Sequence, residues 1–307
     1  MQTELVWLIK NYSHSLINDY YKKEVNEIES KITNELLHTM YNEYKNGKST
    51  LNLEDKYGFK ATTICSRFTR AGYELRNNKD NSRKYNINHN YFEEIDTEDK
   101  AYWLGFIYAD GYITKNNNQK CFGISISEKD VEILYKLNKC INSNYEIKNY
   151  TTSQGYSENT KYSRLLITSD KIFDNLLSHG VFENKSNNLK PPLIKNNLIR
   201  HFIRGYIDGD GSIYKTKNKY GFDFHVNIIG TNELLTYIHN YLKDNKLIQK
   251  DLNLEKRKQE HKVSNIRYGG NNQTYNILKH LYNNSKLYLT RKYNIYLKLC
   301  ELVNSRL

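Results

Sequence analysis

An internal repeat restricts the folds open to this chain more than any other feature of its sequence. The segment WLGFIYADGYI at Trp103–Ile113 recurs as IRGYIDGDGSI at Ile203–Ile213, which places Asp110 and Asp210 100 residues apart. Each copy is followed by alternating apolar and polar residues, as in a strand with one buried face, and then by helical spacing and a further strand and helix. We therefore predict an α+β protein in which an αββαββα unit occurs twice, related by a pseudo-dyad.

The repeat divides the 307 residues into three regions. Residues 1–90 are predicted to be a helical N-terminal region ending in a polar linker, residues 91–195 the first half of the repeat, and residues 196–307 the second half. In the N-terminal region two short helical patterns flank Gly58, as in a helix-turn-helix. The second helix would present polar side chains to a DNA groove, namely Thr62, Thr63, Ser66 and Arg67. An ordinary helical hairpin would give the same pattern, so the sequence leaves DNA contact by this segment open.

Charge and cysteine content narrow the function classes. With 46 Lys and Arg against 34 Asp and Glu, the formal net charge is +12, which favours a polyanionic partner such as double-stranded DNA. The four cysteines include no CxxC pair, which argues against a zinc site and a disulfide framework, so a metal ion would have oxygen ligands. No segment has the pattern of a signal peptide or a membrane-spanning helix. We expect a soluble monomer that contacts no membrane, in a bacterial or phage-infected cytoplasm or an organelle.

The repeated helix carries small residues four positions apart, Gly105 and Ala109 in one copy and Gly205 and Gly209 in the other. This spacing puts them on one face and lets two helix backbones approach closely. Such packing would bring the aspartates at the two helix ends together, where they repel each other unless a cation is present. A hard divalent ion such as Mg²⁺, or Mn²⁺ or Ca²⁺ in its place, would suit these oxygen ligands and could activate a water for attack on a phosphodiester. The alternative is that both aspartates are solvent-exposed helix ends.

At these residues the chain resembles the LAGLIDADG homing endonucleases. WLGFIYADG at Trp103–Gly111 and IRGYIDGDG at Ile203–Gly211 are similar to the motif that names the family, and the likeness extends over Tyr91–Leu307. The resemblance implies a single-chain, pseudo-symmetric protein whose two antiparallel sheets form a saddle over the DNA major groove. It further implies that Asp110 and Asp210 bind the metal ions and that the two strands are cut with a stagger, which leaves a double-strand break. Tyr108 replaces the first acid of the motif name, whereas Asp208 retains it.

The resemblance also implies further catalytic residues. A basic residue is expected near the scissile phosphates late in each half, which is Lys185 in the first half and either Arg291 or Lys292 in the second. A polar residue that assists the water is expected after the first sheet strands, where Glu128 stands in one half and Gly230 in the other. This asymmetry predicts that the two DNA strands are cut at different rates.

Polar strand residues are the candidates for contact with bases. In the first half these are Thr114, Asn116, Asn118, Gln119, Ser125, Lys148, Lys161 and Arg164. In the second half they are Thr216, Asn218, His225, Asn227, Lys256, Lys258 and Arg267. Lys215 and Lys217 are further candidates that share one strand face, and the sequence does not assign that face to bases or phosphates.

The leading hypothesis is therefore a site-specific DNA endonuclease with a divalent-metal cofactor. Two alternatives use the same fold, an intron maturase that assists RNA splicing and a DNA-binding regulator that does not cleave. Retention of both aspartates favours the nuclease over the regulator, because a protein that only binds DNA gains nothing from paired acids facing phosphates. The two acids discriminate less well against a maturase.

Overall fold

The computed structural model describes residues 32–75, 85–116, 119–152, 159–219, 221–256 and 263–305. The chain forms two compact units, residues 1–86 and residues 87–307. The candidates Asn118 and Lys258 lie outside the described residues. None of the helices in the described ranges is long and apolar enough to cross a membrane.

The smaller unit contains three described helices, α1 (Asn34–Lys45), α2 (Thr50–Tyr57) and α3 (Ala61–Arg70). Thr33 and Ser49 cap the first two through their hydroxyl oxygens, as short polar residues do at helix starts. The three helices share one apolar core, made of Ile32, Leu37, Met40, Tyr44, Leu53, Ile64 and Phe68. The two short helices predicted around Gly58 are thus present.

The larger unit contains the duplicated αββαββα unit that the repeat predicts. The first half consists of α4 (Glu98–Asp110), β1 (Gly111–Asn116), β2 (Gln119–Ser127), α5 (Glu132–Cys140), β3 (Ile147–Thr152), β4 (Thr160–Thr168) and α6 (Asp170–Ser178). The second consists of α7 (Ile199–Asp210), β5 (Ser212–Asn218), β6 (Gly221–Thr231), α8 (Asn232–Asp244), β7 (Glu255–Lys256), β8 (Val263–Gly269), α9 (Asn271–Tyr282) and an additional α10 (Thr290–Asn304). The antiparallel sheets have the matching orders β1-β2-β4-β3 and β5-β6-β8-β7, which confirms the predicted fold class.

The repeated helices α4 and α7 pack against each other through their glycines. A Cβ atom on Gly105 would lie 2.0 Å from the Phe202 carbonyl oxygen, and one on Gly205 would lie 1.9 Å from that of Tyr102. Any side chain at these two positions would push the helices apart. The close approach predicted from the small residues is confirmed, and it explains why glycine is kept inside a helix despite a cost of about 1 kcal/mol relative to alanine.

Each sheet has a face covered by helices and an open face. Phe122, Ile124 and Ile126 of β2 are buried on the covered face, and Phe224, Val226 and Ile228 of β6 are their counterparts. Because strand side chains alternate, the residues between them lie on the opposite side, which we call the open face. Ser125 and Arg164 face each other across β2 and β4 on this side, and Asn227 and Arg267 do so across β6 and β8.

The hairpin β5–β6 is longer than the hairpin β1–β2. From the residue after the repeated glycine, the first hairpin pairs Tyr112 with Gly123 and ends at Asn116 opposite Gln119. The second pairs Ser212 with Asn227 and ends at Asn218 opposite Gly221. Counted from these first pairs, each strand of the second hairpin has about two more paired residues than its counterpart in the first. Beyond this hairpin, corresponding residues of the two halves are therefore no longer 100 positions apart in the sequence.

Candidate active site

Asp110 and Asp210 are the last residues of α4 and α7, and the close packing of these helices brings their ends together. A Cβ atom on Gly209 would lie 2.2 Å from Ala109 Cβ and 3.3 Å from Asp110 Oδ2, so the carboxylate of Asp110 reaches the end of α7. Asp110 is half-buried, whereas Asp210 keeps an exposed side. The convergence expected from the sequence is therefore present, and solvent can reach the site.

The electrostatics of the two aspartates reflect this crowding. Burial and the negative charge of Asp210 raise the pKa of Asp110 to about 6, although the ammonium groups of Lys292 and Lys185 act in the opposite direction. Burial also raises the pKa of Asp210, and the positive charges of the same two lysines oppose this shift. Each carboxylate also stands at the negative end of a helix dipole. The site consequently holds negative charge that the protein does not fully neutralise.

Lys185 lies at the end of α4, where the sequence prediction places a basic residue. Its Nζ donates a hydrogen bond of 2.9 Å to the carbonyl oxygen of Ala109, and its side chain is buried. Burial lowers the pKa of Lys185, while the charges of Asp210 and Asp110 oppose that shift. The ammonium group thus satisfies a terminal carbonyl of α4 and lies within electrostatic range of both carboxylates.

Lys292, and not Arg291, has the corresponding place in the second half. Lys292 is 3% exposed, and its Nζ donates to four carbonyl oxygens at the end of α7, those of Ile207 (2.8 Å), Asp208 (2.7 Å), Gly209 (3.0 Å) and Gly211 (2.5 Å). Burial lowers its pKa to about 8, which the aspartates counteract. The exposed guanidinium of Arg291 binds the carboxylate of Asp130 instead, at 3.0 and 3.3 Å. The structure thus separates two adjacent residues that the sequence left as alternatives.

The strand register corrects the expected pairing of Glu128 with Gly230. Ser127 ends β2 and Thr231 ends the longer β6, so the residue that follows, Glu128, corresponds to Asn232. Glu128 begins a short 3-10 turn that also contains Asp130. The negative charge of Asp130 contributes to the raised pKa of Asp110, so Asp130 is a further acid near the site, which no motif in the sequence indicated.

The first acid position of the motif serves packing in both halves. Asp208 is buried and accepts hydrogen bonds from the hydroxyl groups of Tyr102 (2.9 Å) and Tyr282 (2.6 Å) and from the Leu289 amide (2.8 Å). Tyr108, its counterpart, donates to the His179 carbonyl oxygen at 2.6 Å. Both residues hold the central helices to the surrounding elements, and neither faces the paired aspartates as a third acid.

Most predicted base-contact residues lie on the open faces. In the first sheet these are Thr114, Gln119, Ser125, Lys148 and Arg164, and in the second Thr216, Asn218, His225, Asn227 and Arg267. Arg164 stacks on the Tyr150 ring at 4.6 Å and donates to its hydroxyl group. His225 stacks on Tyr214 and contacts the Thr216 hydroxyl group at 2.9 Å. These contacts hold hydrogen-bonding groups in fixed positions on both open faces.

Three of the predicted lysines lie on the covered faces instead. Lys161 is three residues from Arg164 and therefore has the opposite strand parity, in line with Ser163 and Leu165. Lys215 pairs with the buried Phe224, and its Nζ lies 4.3 Å from the centre of the Phe222 ring. Lys217 follows with the same parity. Asn116 ends β1 opposite Gln119, and Lys256 ends β7 opposite Ser264.

A hard divalent cation suits the donor set at the helix ends. Across the described residues no group of three or more His, Cys, Asp and Glu side chains is arranged to hold a metal ion, so the carboxylates that the protein would supply are those of Asp110 and Asp210. Mg²⁺ is commonly bound by one or two carboxylates and completes its coordination with water and substrate phosphates. A cation would also neutralise the charge that raises the pKa of Asp110.

Comparison with known proteins bears on the first half directly. Residues 97–179 match the family model of the LAGLIDADG-like domain, in agreement with the resemblance seen in the sequence. No curated protein matches the chain. Similar solved structures include the I-LtrWI LAGLIDADG homing endonuclease bound to target DNA, with 13% identity, coverage of 71% of this chain and 92% of that chain, and a TM-score of 0.45. A second is the LAGLIDADG homing endonuclease I-GzeII in complex with DNA target, with 12% identity, coverage of 67% of this chain and 91% of that chain, and a TM-score of 0.46. A third is meganuclease I-SmaMI bound to uncleaveable DNA, with 14% identity, coverage of 65% and 88%, and a TM-score of 0.44.

Proposed function

We propose that this chain, which resembles the LAGLIDADG homing endonucleases, is a site-specific DNA endonuclease that hydrolyses phosphodiester bonds with a divalent cation of the Mg²⁺ class. The observation that carries the proposal is the pair of carboxylates at adjacent helix ends, Asp110 and Asp210, whose pKa values are both raised. Such shifts at a solvent-accessible position are typical of functional sites, because a stable fold gains nothing from crowding like charges. When bound there, the cation would activate a water and stabilise the leaving oxygen of the phosphodiester.

The protein residues prepare this site before DNA binds. Gly105 and Gly205 fix the distance between the helices, which sets where the two carboxylates stand. Lys185 and Lys292 bind the terminal carbonyl groups and hold each helix end in place. Their ammonium groups also add positive charge beside the position of the scissile phosphates, which stabilises charge that develops during hydrolysis.

The open faces of the two sheets are the proposed DNA-binding surface. They carry amide, hydroxyl and imidazole groups that can bond to base edges, with Arg164 and Arg267 one on each sheet. The formal net charge of +12 favours the phosphate backbone in addition. Because both motif copies are in one chain, a monomer suffices for two cuts, one directed by each half, that together give a staggered double-strand break.

The test uses Asp110→Asn and Asp210→Asn on a duplex that carries the uninterrupted form of the host gene. With Mg²⁺ the parental protein is expected to linearise a plasmid containing this duplex, and each variant is expected to bind it but to lose double-strand cleavage. The matched control is Asp251→Asn, since that carboxylate is 95% exposed and pairs only with Lys243 among the described residues. Double-strand cleavage by either site variant at the parental rate would refute the assignment.

The same preparation distinguishes the maturase and the regulator. A parental protein that cuts no duplex but stimulates splicing of the host intron RNA is a maturase on this fold. One that binds the duplex, cuts nothing and leaves splicing unchanged is a regulator. Each of these results refutes the nuclease proposal.

A further inference from the structure

We infer that the smaller unit is a second double-stranded DNA-binding module, which inserts the exposed face of α3 into a major groove. This inference concerns binding outside the cleavage site and does not depend on the proposed chemistry.

The connection between α2 and α3 is short and contains a glycine. Only Gly58, Phe59 and Lys60 separate the eight residues of α2 from the ten of α3. Gly58 has φ +73° and ends α2 in the left-handed conformation, and a Cβ atom there would meet nothing within 4 Å. Glycine is therefore present for its backbone conformation and not for space. A three-residue turn with glycine between two short helices is the helix-turn-helix arrangement.

Helix α3 has one apolar face and one polar face. Ile64 and Phe68 are fully buried in the shared core and fix the rotation of the helix. The opposite side carries Thr62, Ser66 and Thr69, which are small polar residues, and no large apolar side chain. A recognition helix contacts base edges with side chains from its N-terminal part, and serine and threonine hydroxyl groups can bond to any base. The outward face thus suits a groove better than an apolar protein surface.

The segment that contains α3 is positively charged. Residues 60–71 contain Lys60, Arg67 and Arg70 and no acid. On the other two helices, Glu43 pairs with Lys48 and Lys56, and the Glu54 carboxylate accepts a hydrogen bond from the first amide of α3. Two further acids, Glu35 of α1 and Asp55 of α2, are exposed. Positive charge is thus concentrated on the helix whose outer face is polar, which is complementary to the phosphates that border a groove.

The structure corrects one of the residues that the sequence predicted to enter the groove. Arg67 does not project into the groove, because its guanidinium donates to the Ile32 carbonyl oxygen at 2.9 Å and ties α3 to the segment that precedes α1. The exposed cation at the start of α3 is Lys60. Duplex DNA is favoured over duplex RNA as the ligand, because the major groove of A-form RNA is too narrow and deep for a helix.

The experiment uses the full chain in EDTA, where metal-dependent cleavage cannot occur, and a pool of duplexes with about 40 randomised base pairs, longer than the reach of one recognition helix. Sequences that the parental protein enriches are compared with those enriched by the double variant Thr62→Ala with Ser66→Ala. The matched control is Thr39→Ala with Asn42→Ala, which alters two exposed polar residues of α1 in the same core. Alanine favours helices, so both pairs are expected to keep the fold, which a circular dichroism melt checks.

The α3 variant is expected to lose one block of base preferences while the rest of the consensus remains. Its affinity for the parental consensus should fall about fivefold or more, the equivalent of one lost base contact. In addition, Lys60→Gln should lower the slope of log K against log salt by about 0.9, the value for one phosphate contact, whereas Lys45→Gln on α1 should not.

Three results would overturn the inference. One is an α3 variant with the parental consensus and affinity, and another is an α1 control that loses as much as the α3 variant. The third is a parental protein that binds no duplex. Because binding is measured without metal, failure of the proposed nuclease activity would leave this test and its outcome unaffected.

Discussion

Replacing Asp110 by asparagine is expected to stabilise the larger unit when no divalent cation is present. The carboxyl pKa of Asp110 rises from the ordinary 3.8 to about 6 because the group is half-buried and faces Asp210. Since one pKa unit corresponds to about 1.4 kcal/mol, keeping this group ionised costs the folded state up to about 3 kcal/mol. Asparagine has nearly the same shape and carries no charge, so the variant escapes this cost.

The effect has a defined pH dependence. A carboxyl with a raised folded-state pKa favours the folded state below its unfolded pKa, near 4, and this advantage is lost as the pH rises through about 6. The parental protein should therefore lose stability relative to Asp110→Asn between about pH 4 and pH 7. The difference in free energy of unfolding should be small at the acid end and full at neutral pH.

The assay is guanidinium unfolding in EDTA, followed by tryptophan fluorescence in a Trp7→Phe background. The sequence has two tryptophans, and the one that remains, Trp103, is fully buried on α4 and reports on the larger unit. Asp251→Asn is the control, and its free energy of unfolding should stay close to the parental value because the Asp251 carboxylate is exposed. Mg²⁺ should then stabilise the parental protein more than Asp110→Asn, since binding to the folded state alone raises stability.

Two results would refute this reasoning. If Asp110→Asn is less stable than the parental protein at neutral pH in EDTA, the carboxylate makes a favourable interaction and is not a crowded charge. If the difference between the two proteins is the same at about pH 4 and pH 7, ionisation of Asp110 is not its source.

Two further predictions concern the scaffold of the site. Gly205→Ala should destabilise the larger unit by about 3 kcal/mol or more, because the added methyl group would overlap the Tyr102 carbonyl oxygen. Thermal melting measures this loss, with Asn294→Ala at an exposed position of α10 as the control. Lys292→Met should cost more than about 2 kcal/mol because it removes the buried ammonium group that four carbonyl groups at the end of α7 share. Arg291→Met should cost about 1 kcal/mol or less, because it removes only an exposed ion pair, and equal losses in denaturant unfolding would contradict the assignment of Lys292.

The sequence predicted those features that a repeat or a period determines. Duplicated small residues predicted the contact of α4 with α7, and period-two alternation predicted the covered faces of β2 and β6. Both patterns depend only on residues that are close in the sequence, so they can be recognised without the tertiary structure.

The features that the sequence could not determine depend on register and packing. Lys215 could not be assigned to a face because strand parity is fixed only by the pairing partner, here the buried Phe224. The pairing of Glu128 with Gly230 was wrong because the second hairpin is longer, which shifts every later position. Lys292 and Arg291 are neighbours on one helix that point about 100° apart, and only the packing of α10 decides which of them meets the end of α7.

The unequal hairpins have a consequence for the shape of the DNA target under the proposed function. Two more residues in each strand extend the second hairpin by about 7 Å at 3.4 Å per residue. Successive base pairs of B-DNA are separated by about 3.4 Å, so the longer arm spans roughly two additional steps of the duplex. The cut would therefore fall off-centre within the recognised sequence, with the longer flank beneath β5 and β6. A palindromic target would then be a poorer substrate than an asymmetric one.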